Sequence, residues 1–165
     1  ALKWLRNAGL IYQVEMINSA EIPISANADE TYFKVYMSDI GLLGRRLGLS
    51  YNDFQNIEEV MGTFKGAIVE NYVLNELLAL EKKPYFWRSG NTAEVDFVYE
   101  SEGEVCPVEV KASTNTQAKS YKNFCKKYPV KKGYKLSLKN IAVKEVEEVK
   151  TVSLTLYLIW NMDLY

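Results

Sequence analysis

The sequence has no histidine, and only two of its 165 residues are cysteine, Cys106 and Cys125. Without histidine, the chain acting alone has no histidine-based nucleophilic triad, histidine general base or histidine-ligated zinc. Two cysteines without metal-type spacing make no disulfide framework, so a reducing, cytoplasmic compartment is the expectation. No apolar run reaches the ~20 residues that a membrane-spanning helix needs, and no signal peptide opens the chain, so no membrane partner is expected. No G-x-x-x-x-G-K-[ST] occurs; GTFKG and GLLGRRLG suggest phosphate loops only superficially, and no P-loop binding of ATP is expected. Internal repeats and low-complexity linkers are also missing. Acids are missing from one long stretch: Lys111 to Lys144 holds ten lysines and neither Asp nor Glu.

What is present is an ordinary globular composition, long enough for one domain with a core of its own. Any hydrolytic chemistry must come from carboxylates, lysine and a hard metal ion. Acidic runs flank the lysine-rich stretch, with Glu100, Glu102 and Glu104 before it and Glu145, Glu147 and Glu148 after it. Such segregation speaks to partners more than the net charge of -1 does.

ALKWLRNAGLI reads as a short helix stopped at Gly9, and its start in mid-pattern suggests a piece of a longer protein. IYQVEMI alternates as a strand, SAEIPISANADE is loop-like, and TYFKVYM is a second strand. Ser38 or Asp39 caps a short helix over the residues that follow. The longest helical pattern runs from Val60 to Glu81, and its projection puts Glu70 with Gly66, Val73 and Leu77, away from Lys65, Tyr72 and Glu76. A carboxylate there needs a partner. Pro84 ends the helix, and YFWRS, AEVDFVYE and VCPVEVKA follow as three strands in meander order, joined by GNT and SEGE. TNTQAKSYKNFCKKY has helical spacing, with Thr114 or Asn115 as its cap and Ala118, Tyr121 and Phe124 or Cys125 on one side. GYKLSL is a further strand. Periodicity leaves SLTLYLIWNM open between strand and buried helix. The order predicts an α/β fold with a mixed sheet flanked by helices.

Strict alternation puts Glu94 and Asp96 on one side of their strand, and Glu109 with Lys111 on one side of theirs. If the apolar sides align, Asp96, Glu109 and Lys111 share a surface over which Glu70 can pack. Two readings follow. One is the wet side of an ordinary hairpin. The other is a hard oxygen site for Mg²⁺ or Mn²⁺, with Asp96, Glu109, the Val110 carbonyl and Glu70 as ligands and Lys111 orienting water or steadying phosphate. The lysines that follow, Lys119, Lys122, Lys126, Lys127, Lys131 and Lys132, are either a solvated face or phosphate contacts. Tyr121, Phe124, Tyr128 and Tyr134 among them are either core or stacking platforms.

EVDFV…PVEVKAS resembles the metal-binding core of the PD-(D/E)XK nuclease superfamily, which has a restriction-endonuclease-like fold. Asp96 matches its first acid, Glu109 its second, Lys111 its lysine, and Glu70 the acid often carried on its first core helix. Gln117 and Tyr121 form a Q-x-x-x-Y similar to that of RecB-like and archaeal Holliday-junction-resolvase branches, which implies a supporting role for both. The "PD" spelling is lost, since Val95 precedes Asp96, but the acid is what ligates the metal. ALKWLRNAGLI, YFKVYMSDIGLL, KGAIVENYVLNEL, FWRSGNTAEVDFVYE, PVEVKAS, GYKLS and LTLYLIWN together resemble the carboxy-terminal DUF4143 region of bacterial and archaeal AAA-type ATPases. This resemblance implies that residues 1–48 are the remnant of a winged-helix module and its wing. Residues 49–165 would then be the nuclease-like domain, with LTLYLIWN as a terminal helix. It further implies DNA and the ATPase domain of the same full-length chain as partners, with ATP bound only through that missing domain. Domains of this kind include ones without demonstrated cleavage, so a docking module that regulates the ATPase stands as the alternative.

Overall fold

The computed structural model describes residues 1–55, 64–90, 93–112 and 118–165. Its strands are β1 (Ile11–Ile17), β2 (Ala28–Met37), β3 (Tyr85–Ser89), β4 (Ala93–Ser101), β5 (Glu104–Val110), β6 (Lys132–Ser137), β7 (Ala142–Val146) and β8 (Val149–Thr155). They form one mixed eight-stranded sheet in the order β2-β1-β3-β4-β5-β6-β8-β7. Its helices are α1 (Leu2–Asn7), α2 (Ile40–Arg46), α3 (Tyr51–Gln55), α4 (Phe64–Ala79) and α5 (Lys119–Lys127). Among the described residues, no helix is long and apolar enough to cross a membrane.

The expected α/β class with a mixed sheet between helices is the observed one. Local chemistry sets most boundaries. Asp39 caps α2 by accepting the Leu42 N–H at 2.8 Å. Pro84 lies between α4 and β3. Glu102 and Gly103, at φ +53° and +73°, make the two-residue β4–β5 turn whose backbone suits the twist of paired strands. The three-strand meander stands as read, with β3, β4 and β5 adjacent and antiparallel.

Some readings are corrected. The loop after β1 contains a 3-10 helix, Ile24–Asn27, and β2 starts at Ala28 rather than Thr31. The carboxy-terminal run is neither one strand nor one helix: β8 takes it through Thr155, and a 3-10 helix takes Leu156–Leu164. A β7–β8 hairpin, unread in the sequence, precedes it. Thr114 and Asn115, Gln117 and the helical reading before Phe64 lie outside the described residues; α5 begins after Ala118, without a side-chain cap. β1 and β2 belong to the same sheet as the rest, because β1 pairs in parallel with β3 at Met16–Phe86 and Ile17–Trp87.

Two apolar clusters cover the two faces of the sheet, since neighbouring residues of a strand enter different clusters. Phe86, Phe97, Tyr99, Val108, Tyr134 and Leu136 join Val73 and Leu77 of α4 and Ile159 and Met162 of the last 3-10 helix. Tyr85, Trp87, Val95, Val98 and Val105 join Tyr121, Phe124 and Cys125 of α5. With both faces covered, β5 is buried along nearly its whole length. α5 sits very close to β6. A Cβ at Gly133 would lie 2.3 Å from the Tyr121 hydroxyl and 2.9 Å from Pro107, so that crossing needs glycine.

Candidate functional site

The site is made where β4 and β5 part. Their pairing runs from Ser101–Glu104 to Phe97–Val108 and stops there. Asp96 and Glu109 are the next residues in that register. The Lys111 N–H points to β6, where it donates to the Leu136 carbonyl at 2.8 Å. Successive backbone groups alternate, so the Val110 N–H and carbonyl face β4. That N–H donates to Asp96 Oδ2 at 2.7 Å, and a side chain thus replaces the next rung of the ladder.

A bulge places Asp96 there. Tyr85 faces Val98 and Trp87 faces Val95, so β4 has one residue more than β3 across this interval. Val95 and Val98 therefore enter the α5-side cluster, whereas Phe97 and Tyr99 enter the α4-side cluster. Strict alternation had put Val95 and Phe97 together, and the bulge overturns that. On β5 the alternation holds: Cys106, Val108 and Val110 face α4, leaving Glu109 and Lys111 on the α5 side. Asp96, at the bulge, lies between Glu70 above one face and Glu109 on the other.

The wet-hairpin reading fails on burial. Glu109 is only 3 % exposed. Its Oε1 meets Lys111 Nζ at 2.6 Å, while its Oε2 is buried without a hydrogen-bond partner. Burial raises the Glu109 pKa, with Lys111 opposing and Glu70 adding to the rise. Burial, reinforced by the charges of Glu109 and Glu70, pushes Asp96 up to about 8, although the Val110 N–H and Lys34 work the other way. Burial works against the charge of Lys111, but its bond to Glu109 and the two carboxylates hold its pKa above the ordinary lysine value.

Glu70 has the partners its position demanded, and β2 supplies them. Lys34 Nζ lies 2.8 Å from Glu70 Oε1 and 2.6 Å from Glu94 Oε1, and the Tyr36 hydroxyl donates to Glu70. Burial and the Glu70 charge push the Tyr36 phenol far up, so it stays a donor. Burial disfavours the Lys34 charge, yet the two carboxylates keep its pKa raised. The next residue of α4 fixes this contact: buried Asn71 accepts the Met37 N–H at 2.8 Å and donates to the Met37 carbonyl at 2.9 Å. Sequence reading missed Lys34, Tyr36 and Asn71, and it put Glu94 on the side of Asp96 without giving it a role. A lysine inside the otherwise apolar TYFKVYM was the available signal.

The lysine-rich stretch divides. Lys126 pairs with Glu147 at 3.4 Å, and Lys131 pairs with Glu104 at 2.5 Å. Lys127 lies over the Trp87 and Tyr128 rings. Lys119 and Lys122 are exposed on α5. Tyr121, Phe124, Tyr128 and Tyr134 are buried, so they are core and not stacking platforms. Tyr121 supports the strands: its hydroxyl is 3.1 Å from Thr151 Oγ1 and reaches across Gly133. Lys135, on β6 opposite Glu109, has a lowered pKa from burial and from the nearby charges of Lys122 and Lys111, against the pull of Glu109.

Among the described residues, no three His, Cys, Asp or Glu are grouped to hold a metal ion. Glu70 is held by Lys34 and Tyr36. Asp96 and Glu109 do fit a hard divalent cation. The unpartnered Glu109 Oε2 and the mutual repulsion of these carboxylates both call for positive charge. The Val110 carbonyl points into the same opening.

No curated protein and no solved structure matches the chain. Residues 65–157, more than half of the sequence, match the family described as Domain of unknown function (DUF4143). That span opens on α4 and closes just past β8, so it contains Asp96, Glu109, Lys111 and Glu70 but not β1 or β2. The chain belongs to the DUF4143 family.

Proposed function

We propose that this is a PD-(D/E)XK-like domain that binds DNA and hydrolyses phosphodiester bonds with Mg²⁺ or Mn²⁺, working beside an AAA-type ATPase domain of a longer chain. The observation that carries the reading is the buried Glu109 Oε2, unpartnered beside an Asp96 that burial and neighbouring charge make hard to ionise. Asp96, Glu109 and the Val110 carbonyl would hold the ion, with Glu70 a reserve acid that must leave Lys34 to join them. The ion would supply Lewis acidity and a more acidic water. Lys111 would stay protonated, hold Glu109 in place and offer its remaining N–H donors to a phosphate oxygen. Covered sheet faces keep bulk water from the base of the site and strengthen those charge contacts.

Nicking of plasmid or branched DNA in Mg²⁺ or Mn²⁺ tests the proposal. Asp96→Ala and Lys111→Ala should each lower the rate by roughly 100-fold or more. Unchanged cutting in both variants would sink the assignment. A second reading, a non-catalytic module that docks DNA or a protein and regulates the ATPase, is favoured by the counter-charges already present at Glu70 and Glu109. DNA binding without cutting across both metal titrations would select docking to DNA. The loss of binding as well, in low salt, would select docking to a protein.

A further inference from the structure

Lys135 is a cation placed at the site without an anion of its own. It stands across from Glu109 in the parallel β5–β6 pairing, where neighbouring strands are about 4.8 Å apart. Glu109 is already engaged by Lys111. Among the described residues, Lys135 makes no ion pair, and its Nζ lies 5.0 Å from the centre of the Tyr121 ring. That ring is fully buried and fixed between Thr151 and Gly133, so the ammonium rests on a rigid support. Lys122, one residue beyond Tyr121 on α5, also makes no ion pair among the described residues and adds like charge beside Lys135. Lys126 and Lys131, by contrast, are neutralised by Glu147 and Glu104. With Glu109 already bonded to Lys111, the neighbouring cations Lys135 and Lys122 leave a place for a further anion.

We propose that Lys135, with Lys122, binds the backbone phosphate next to the one presented to Asp96 and Glu109, so that the ligand is a polynucleotide strand and not a small phosphate ester. This rests on the DNA-directed reading above and adds to it a second phosphate position and the residue that makes it. Lys135 acts by charge, and its partner is a phosphodiester group. No bond is made or broken there.

The test is binding of a fluorescein-labelled DNA duplex in metal-free buffer, followed by anisotropy between about 50 and 200 mM salt. For Lys135→Gln the slope of log affinity against log salt should shrink by about 1, the release associated with one phosphate contact. Lys135→Arg should keep the wild-type slope. In the unmutated protein, bound DNA should slow acetylation of Lys135 several-fold while leaving Lys82, tied to Asp163 toward the β4–β5 turn, unaffected. That footprint decides the matter if Lys135→Gln fails to fold. A wild type that binds DNA, with an unchanged slope in Lys135→Gln or no protection of Lys135, overturns this inference and leaves DNA binding standing. A wild type that binds no DNA in low salt overturns both.

Discussion

The two ends of the β4–β5 hairpin carry similar acids in opposite surroundings. At the turn, the ladder is closed from Tyr99–Cys106 to Ser101–Glu104, and acids face outward. Glu104, 38 % exposed at its side chain, meets a Lys131 that is 79 % exposed. At the other end the ladder opens, and Glu109, 5 % exposed at its side chain, meets Lys111. Both pairs are short, but only one is removed from water. Solvent already satisfies the turn-end charges, and little is gained by pairing them. At the open end each carboxylate must find its own compensation, and one oxygen of Glu109 has none.

The contrast breaks most sharply at Lys111. Lys111→Met should destabilise the fold by about 3 kcal/mol at neutral pH, because Glu109 keeps its burial and loses its cation. Glu109→Leu added to it should restore most of that loss. Urea unfolding of the single and double variants measures this, and equal costs for both would show that the pair is not the source.

Asp96 gives the next effect, with a definite sign. Its folded pKa, about 8, lies above the ordinary 3.8, so the folded chain holds this proton more tightly than the unfolded chain. Its contribution is full at acid pH, is lost as pH rises from the ordinary carboxylate range through about 8, and is level beyond. Asp96→Asn retains an acceptor for the Val110 N–H and cannot ionise. It should be more stable than the wild type above pH 8 and no more stable near pH 4. Parallel stability curves for the two proteins across that range would refute the assignment.

The smallest effect belongs to the turn end. Lys131→Ala should cost less than about 0.5 kcal/mol, and moderate salt should erase the difference. A cost approaching that of Lys111→Met would mean that exposure does not distinguish the two ends.

Much of this was legible in the sequence because local rules set it. Asp39 and Pro84 mark their boundaries by chemistry acting within a few residues. Alternation placed Glu109 and Lys111 correctly on a common face of β5. It failed on β4, since an extra residue opposite Phe86 is a property of two strands in register, and neither strand reveals it alone. Glu70 shows the same division. Its helical position disclosed the need for a partner, but Lys34 and Tyr36 lie more than thirty positions earlier in the chain and meet it only through the sheet. The aromatic residues among the lysines illustrate a third case. Helical spacing marked one side of α5, and burial of that side turned candidate platforms into core.

Lys34 also separates two meanings of a boundary. The family match starts at residue 65, yet Glu70 and Glu94, both within the matched span, share a cation contributed from outside it. A polypeptide trimmed to that span would carry two acids stripped of their common counterweight, and β3 would lose the strand that covers its flank. The span that matches the family thus leaves out a residue that compensates its partly buried charges.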